Sequence, residues 1–306
     1  MITHNKQTVI RAFLALLLLA VLWGYNWVVM KNALRDAGAF QFGALRTMLG
    51  ALCLLALLFV LRKPMRPREI PTLIVLGLLQ TSGFTGLIIW ALVQGGAGKT
   101  AVLTYAMPFW VMVLAWPLLG EKIRDSQWLA VILSLMGLTF ILDPLHLGAD
   151  LFSMVLAVLG GLSWALAVIL AKKLHQHAPE LDLLSLTAWQ MLFGSLPLVL
   201  AAFLVQAPPI HWTTNFIGAV IFNAVLCNAL AWMLWLYALQ RLPAGIASMT
   251  SMLAPVIGVL AAWLQLGEQP SGQETVGMLL IGLSLVIISI RAMRKHEPVD
   301  PSMAQD

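Results

Sequence analysis

Ten long apolar runs constrain this chain more than any other feature of its sequence. They fall near residues 10–30, 39–61, 70–93, 99–118, 125–142, 150–171, 184–206, 214–238, 244–266 and 272–290. A helix rises about 1.5 Å per residue, so each run is long enough to cross a hydrocarbon core about 30 Å thick, with the fifth the shortest. The runs are continuous rather than alternating, which excludes a barrel. In lipid every backbone amide needs a partner inside its own segment, so a spanning run must be helical. The expected fold is all-α and integral to the membrane, with ten transmembrane helices. Composition agrees: 60 % of the 306 residues are hydrophobic and 10 % are charged. So few charges cannot cover a soluble globule.

Lys6 and Arg11 precede the apolar stretch 12–22, as in a signal peptide. No small-residue cleavage pattern follows, only Trp23-Gly24-Tyr25-Asn26, so an uncleaved first helix is expected. The net charge of +5 comes from short basic clusters between the runs, which report orientation rather than nucleic acid. With the N-terminus in the cytoplasm, the inner segments hold Lys6, Arg11, Arg62, Lys63, Arg66, Arg68, Lys122, Arg124, Lys172, Lys173, Arg241, Arg291, Arg294 and Lys295. The outer loops keep Lys31, Arg35 and Lys99, and Arg46 lies inside the second run. The expectation is a multi-pass protein of the inner (plasma) membrane with both termini cytoplasmic, whose partners are the lipid bilayer and a small-molecule substrate.

Both cysteines, Cys53 and Cys227, sit in apolar runs and read as small buried hydrophobes. All six histidines lie in polar segments or tails, and His175-Gln-His177 alone is not a metal box. The sequence has no glycine-rich phosphate loop and no nucleophile elbow. No metal, cofactor or catalytic residue is therefore expected, and the chain does not read as an enzyme.

The two halves match each other. A shift of 147 residues places Ala97-Gly98 on Ala244-Gly245, Pro108 on Pro255, Ala115-Trp116 on Ala262-Trp263 and Leu119-Gly120-Glu121 on Leu266-Gly267-Glu268. Nearer the start, a shift of 141 places Trp23 on Trp164 and Lys31 on Lys172. The expected units are a first five-helix repeat over 1–145 and a second over 146–306, the latter with a short C-terminal tail. Five spans per unit invert the second copy, a recurrent design of carriers in which one half rocks against the other.

Trp23-Gly24-Tyr25-Asn26-Trp27 in the first run, Arg46 followed by small and aliphatic residues in the second, and a proline-bearing run ending in Leu-Gly-Glu in both halves resemble the drug/metabolite transporter superfamily, EamA type. The resemblance spans nearly the whole chain. It implies a monomer-sized carrier with a central cavity between two five-helix repeats, in a family that includes exporters of amino acids and other metabolites. The smaller four-helix multidrug relatives depend on a glutamate in their first span. This chain has none there, so their proton coupling does not carry over.

Polar side chains at membrane depth face the protein interior or water. Thr81 and Thr85 lie one turn apart in the third run, and the 147 shift places Asn228 and Trp232 at the equivalent sites of the eighth. Gln80 and Asn223 neighbour those faces. A shared solute path and helix–helix glue are both open readings. Trp23, Asn26, Trp27 and Met30 follow one helical face, with Trp164 at the matching place in the sixth run; a cavity wall and interfacial anchoring are the alternatives. Tyr105 and Ser251 stand near Pro108 and Pro255, where proline frees the carbonyl four residues earlier, that of Thr104 or Ser251, and kinks the helix. Arg46 has three readings: a partner for a substrate carboxylate, a donor to backbone carbonyls, or a side chain snorkelling to the outer surface. Glu121 and Glu268 end their helices where acid opposes the helix dipole, so their recurrence points to a structural contact.

The substrate path is thus expected along Trp23, Asn26, Thr81, Thr85, Tyr105, Trp164, Asn228, Trp232 and Ser251, with helix kinks at Pro108 and Pro255. The function expected is secondary transport of a small organic metabolite, an amino acid or drug-like solute, outward and by alternating access. The alternatives are an intramembrane enzyme or a channel.

Overall fold

The computed structural model describes residues 6–119, 126–142, 151–239 and 253–294. Every regular element among them is helical: α1 (Lys6–Ala33), α2 (Ala39–Val60), α3 (Ile70–Leu76), a π segment π1 (Gly77–Gly83), α4 (Phe84–Gln94), α5 (Ala97–Thr104), α6 (Met107–Leu119), α7 (Ser126–Leu142), α8 (Leu151–His177), α9 (Leu183–Leu204), α10 (Thr214–Ile221), a second π segment π2 (Phe222–Leu230), α11 (Ala231–Leu239), α12 (Leu253–Leu266) and α13 (Gly272–Arg294). Six helical stretches are long and apolar enough to span a bilayer: Ile10–Ala33, Ala39–Val60, Ile70–Gln94, Leu151–Leu174, Leu183–Leu204 and Thr214–Trp235. Shorter apolar helices include Trp128–Gly137 and Leu253–Leu266.

The distribution of polarity is that of a membrane protein. Phe203 (85 % exposed), Leu264 (81 %) and Leu279 (68 %) point outward, while Asn26, Arg46, Thr81, Gln190, Asn223 and Asn228 are buried. Large exposed aliphatic surface is stable against acyl chains and not against water. The buried polar groups follow because lipid offers them no hydrogen bond.

The helices pack in specific pairs. α2 lies along α9, α7 along α13, α1 along α12, and α8 against α4, α5 and α6; π1 packs on α9 and π2 on α2. Small residues allow the closest crossings. A Cβ on Gly194 would lie 2.2 Å from the Gly77 carbonyl oxygen, and one on Gly24 would lie 2.7 Å from that of Ala254. Such contact lets packing do the work that the hydrophobic effect cannot do inside lipid.

Polar ties close the two ends. At one end Asp36 accepts from the His211 amide (2.8 Å) and from Thr213 Oγ1 (2.9 Å), and Lys31 Nζ donates to the Leu92 and Gly95 carbonyls at 2.6 and 2.8 Å. Lys99 also pairs there with Glu274. Glu268 Oε2 accepts from the Gly98 amide at 3.1 Å, in the first turn of α5. An anion at a helix N-terminus is favourable, which explains an acid that looks misplaced at the end of its own helix. Glu121 lies outside the described residues. At the opposite end Lys63 pairs with Asp182 (2.9 Å) and Ser185 Oγ donates to the Pro64 carbonyl (3.1 Å).

Two features depart from the sequence expectation. The fourth run is not one kinked helix but two, with Tyr105 and Ala106 in a turn between α5 and α6. Pro108 is the second residue of α6, where its missing N–H costs little. The last carbonyls of α5 are closed by the Tyr105 amide to Ala101 (2.9 Å) and the Ala106 amide to Leu103 (3.3 Å). The Thr104 carbonyl instead abuts Gly161 of α8, where a Cβ would come within 2.8 Å. Pro255 is buried as the third residue of α12, and the segment that would show a kink ahead of it lies outside the described residues. The second departure is the pair of π segments in the third and eighth runs.

Candidate functional site: a central cavity

A cavity of about 70 Å³ lies where α1, α2, α8, α9 and both π segments converge. The π segments create its polar wall. A π turn breaks the regular i→i−4 ladder and leaves carbonyls to seek other partners. In π1 the Leu79 carbonyl accepts from Ser163 Oγ at 2.7 Å. In π2 the Cys227 carbonyl accepts from Trp23 Nε1 at 3.1 Å. Each is a contact from the opposite half of the chain. Ser82 Oγ donates to the Gly194 carbonyl at 2.5 Å, and Asn228 Nδ2 to the Arg46 carbonyl at 2.9 Å.

Aromatic rings form the other wall. Trp23 stands edge-on to Trp164 (centroids 6.3 Å apart) and to Trp232 (5.5 Å); Trp164 in turn meets Phe84 at 5.0 Å and Tyr105 at 5.8 Å. Three of these four pairs are edge-to-face, a geometry worth about 0.5–1.5 kcal/mol each beyond burial. The indole that donates to Cys227 is therefore fixed twice, by its hydrogen bond and by its neighbours.

Eight of the nine expected path residues, Trp23, Asn26, Thr81, Thr85, Tyr105, Trp164, Asn228 and Trp232, line this one cavity. Ser251 lies outside the described residues. Trp27, Met30 and Gln80, noted in the sequence for their spacing or neighbourhood, line it as well. Five lining residues were not anticipated there: Thr47, Phe84, Ile88, Gln190 and Met191. Cys227, read as a plain core residue, is both buried and on the wall.

Arg46 is the main revision. It does not snorkel: the residue is 6 % exposed and lines the cavity. Its Nη1 lies against Met30 Sδ, and its Nε has no hydrogen-bond partner. The Asn26 Oδ1 and Gln190 Oε1 atoms are likewise buried and unpartnered. The lining carries no Asp, Glu or His among the described residues. Nor do the described residues contain three His, Cys, Asp or Glu placed to hold a metal ion.

Against known proteins, the model of the EamA-like transporter family matches this chain twice, over residues 10–143 and 151–290. The chain belongs to the EamA-like transporter family. Among its relatives is the Bacillus subtilis protein called uncharacterized transporter YoaV, 30 % identical over 278 residues, which cover 89 % of this chain and 94 % of that one. A Salmonella typhimurium protein called a probable amino-acid metabolite efflux pump is 28 % identical over 298 residues, covering 92 % and 96 %. An Escherichia coli protein with the same description is 26 % identical, covering 90 % and 94 %. A crystal structure of a protein 17 % identical in sequence superposes with a TM-score of 0.65 over 96 % of this chain and all of the other. That likeness concerns the fold alone.

Proposed function

We propose that this EamA protein is a secondary carrier that exports a small organic metabolite, an amino acid or drug-like solute, by alternating access. Ten spans build it, as inverted five-helix repeats over 1–145 and 146–306, in the inner membrane with both termini cytoplasmic. One observation carries the reading: polar and aromatic groups from both halves meet in a single cavity at the two π segments. Shifting π1 by 147 residues gives 224–230, inside π2. The helix pairs support the same symmetry. The α1–α12 pair answers to α8 with α6, π2 on α2 answers to π1 on α9, and α2–α9 and α7–α13 each answer to themselves. The basic residues Lys63, Arg66 and Arg68 support a cytoplasmic assignment for the end where α2 meets α3.

A π segment supplies carbonyls that exchange partners and a weak point in the helix, both useful to a rocking half. The relatives described as amino-acid metabolite efflux pumps favour amino acids among the solutes and export as the direction.

Purified protein in liposomes, loaded with one unlabelled amino acid at a time, tests this. The expected result is saturable uptake of the labelled amino acid with transient accumulation by counterflow for at least one of the panel. Flux that rises linearly with concentration and shows no counterflow would favour a channel.

A further inference from the structure

We propose that Arg46 is the anchor for a carboxylate group on the transported solute, with Asn26 and Gln190 as acceptors for an adjacent N–H donor. The proposal rests on the carrier reading for the solute's passage, but not for its binding.

A guanidinium buried without a counter-ion costs several kcal/mol. Proteins usually offset that cost with a carboxylate or with a full set of backbone carbonyls. Here the side chain meets a thioether, Nε has no partner, and the cavity wall holds no acid among the described residues. The charge is not an accident of a loose helix. Asn228 Nδ2 holds the Arg46 carbonyl at 2.9 Å, and a Cβ on Gly50, one turn on, would lie 2.7 Å from the Asn228 side chain. The turn of α2 that carries the guanidinium is thus clamped from the other half of the chain. A carboxylate entering the cavity supplies the missing counter-charge, and the planar fork of arginine suits it.

The second part follows from the acceptors. Asn26 is 5 % exposed and Gln190 is 2 % exposed, yet an amide oxygen of each has no partner. Buried acceptors without donors are costly, and a solute N–H satisfies them. The faces of Trp23 and Trp164 offer further attraction to an ammonium. One cation, two free acceptors and an aromatic wall describe an α-amino carboxylate with an apolar side chain.

The test uses the purified full-length protein and four probes that share the isobutyl side chain: L-leucine, 4-methylpentanoate, leucinamide and 3-methylbutan-1-amine. Binding is read by intrinsic tryptophan fluorescence and by thermal stabilisation. In the wild-type protein leucine binds best, 4-methylpentanoate follows, and the two probes without a carboxylate bind about tenfold or more weaker, the size expected for losing a hydrogen bond to a charged group. Arg46→Gln removes that preference, and Arg46→Lys keeps part of it. Equal binding of amine and acid to wild-type protein overturns the proposal, as does no binding of either acid. So does carboxylate binding by Arg46→Gln within about twofold of wild type, the expectation for a residue that only supports packing. If both variants fail to fold, the wild-type panel alone decides. Counterflow of the best-bound probe is scored separately: binding with the predicted preference but no counterflow overturns the carrier and leaves the anchor standing.

Discussion

α2 and α9 run along each other, and at the same register they offer the cavity different chemistry. Shifted by 144 residues, Gly50 matches Gly194 and Arg46 matches Gln190. Both glycines take a π segment at close range: Gly50 meets Asn228 of π2, and Gly194 meets Gly77 and Thr81 of π1. The backbone device is duplicated and the charge is not. One wall carries a buried cation and its counterpart carries a neutral amide, so two similar close crossings present the cavity with different charge.

The crossings give the largest way to break that symmetry. A methyl on Gly194 would sit 2.2 Å from a backbone oxygen and 2.5 Å from Thr81 Cβ, whereas one on Gly50 would meet a side chain at 2.7 Å. Gly194→Ala is expected to cost about 3 kcal/mol, and Gly50→Ala about half as much, by thermal unfolding in detergent. Gly218→Ala, with no atom within 4 Å of the new methyl in its helix, should cost nothing and add up to about 1 kcal/mol.

The equivalent pair Thr81 and Asn228 sharpens the comparison. Asn228 clamps the α2 backbone at Arg46, while no tie from the Thr81 side chain to α9 matches it. Asn228→Ala should lose about 1 kcal/mol of stability and reduce transport per folded molecule by about tenfold. Thr81→Ala should leave stability nearly intact and lower transport less. Loss of stability in both, with turnover unchanged, would reduce the shared surface to helix glue.

The smallest effect lies at the end of the bundle. Burial raises the Asp182 carboxyl pKa, but the hydrogen bond from Lys63 and the Ser185 amide outweigh it, and the net shift is downward. A depressed folded value means the stabilisation is present above the unfolded pKa of about 3.9 and is lost as pH falls through the lower folded one. Asp182→Asn keeps the helix cap and should cost under about 1 kcal/mol at neutral pH, because the pair is partly exposed. The difference from wild type should vanish in strong acid.

Much of this was legible in the sequence. The indole and amide spacing in α1 reads directly because helical periodicity fixes which side chains share a face. The π segments were hidden: Gly-Leu-Leu-Gln-Thr-Ser-Gly has the same hydropathy as an α turn, and only the crossing at Gly194 and the donor Ser163 from α8 reveal it. Arg46 was ambiguous because its stem is long enough to reach either surface or core, and the clamp by Asn228 that settles its backbone lies 182 residues away. Gln190 carried a usable signal in the 144-residue shift, masked because it falls between the 141 and 147 shifts of the flanking runs. The break at Tyr105 sits against Gly161, a contact set by helix packing rather than by local pattern.

The cavity as a solute path makes one direct demand: a residue on its wall must be reachable from each side of the membrane in turn. Thr81 is buried on that wall, and the chain has two cysteines to remove. In a Cys53→Ala, Cys227→Ala background, Thr81→Cys should react with a small membrane-impermeant thiol reagent added from either side of sealed vesicles. Leucine should slow both reactions. A thiol at this position that reacts from neither side, in protein that remains folded, would contradict the path.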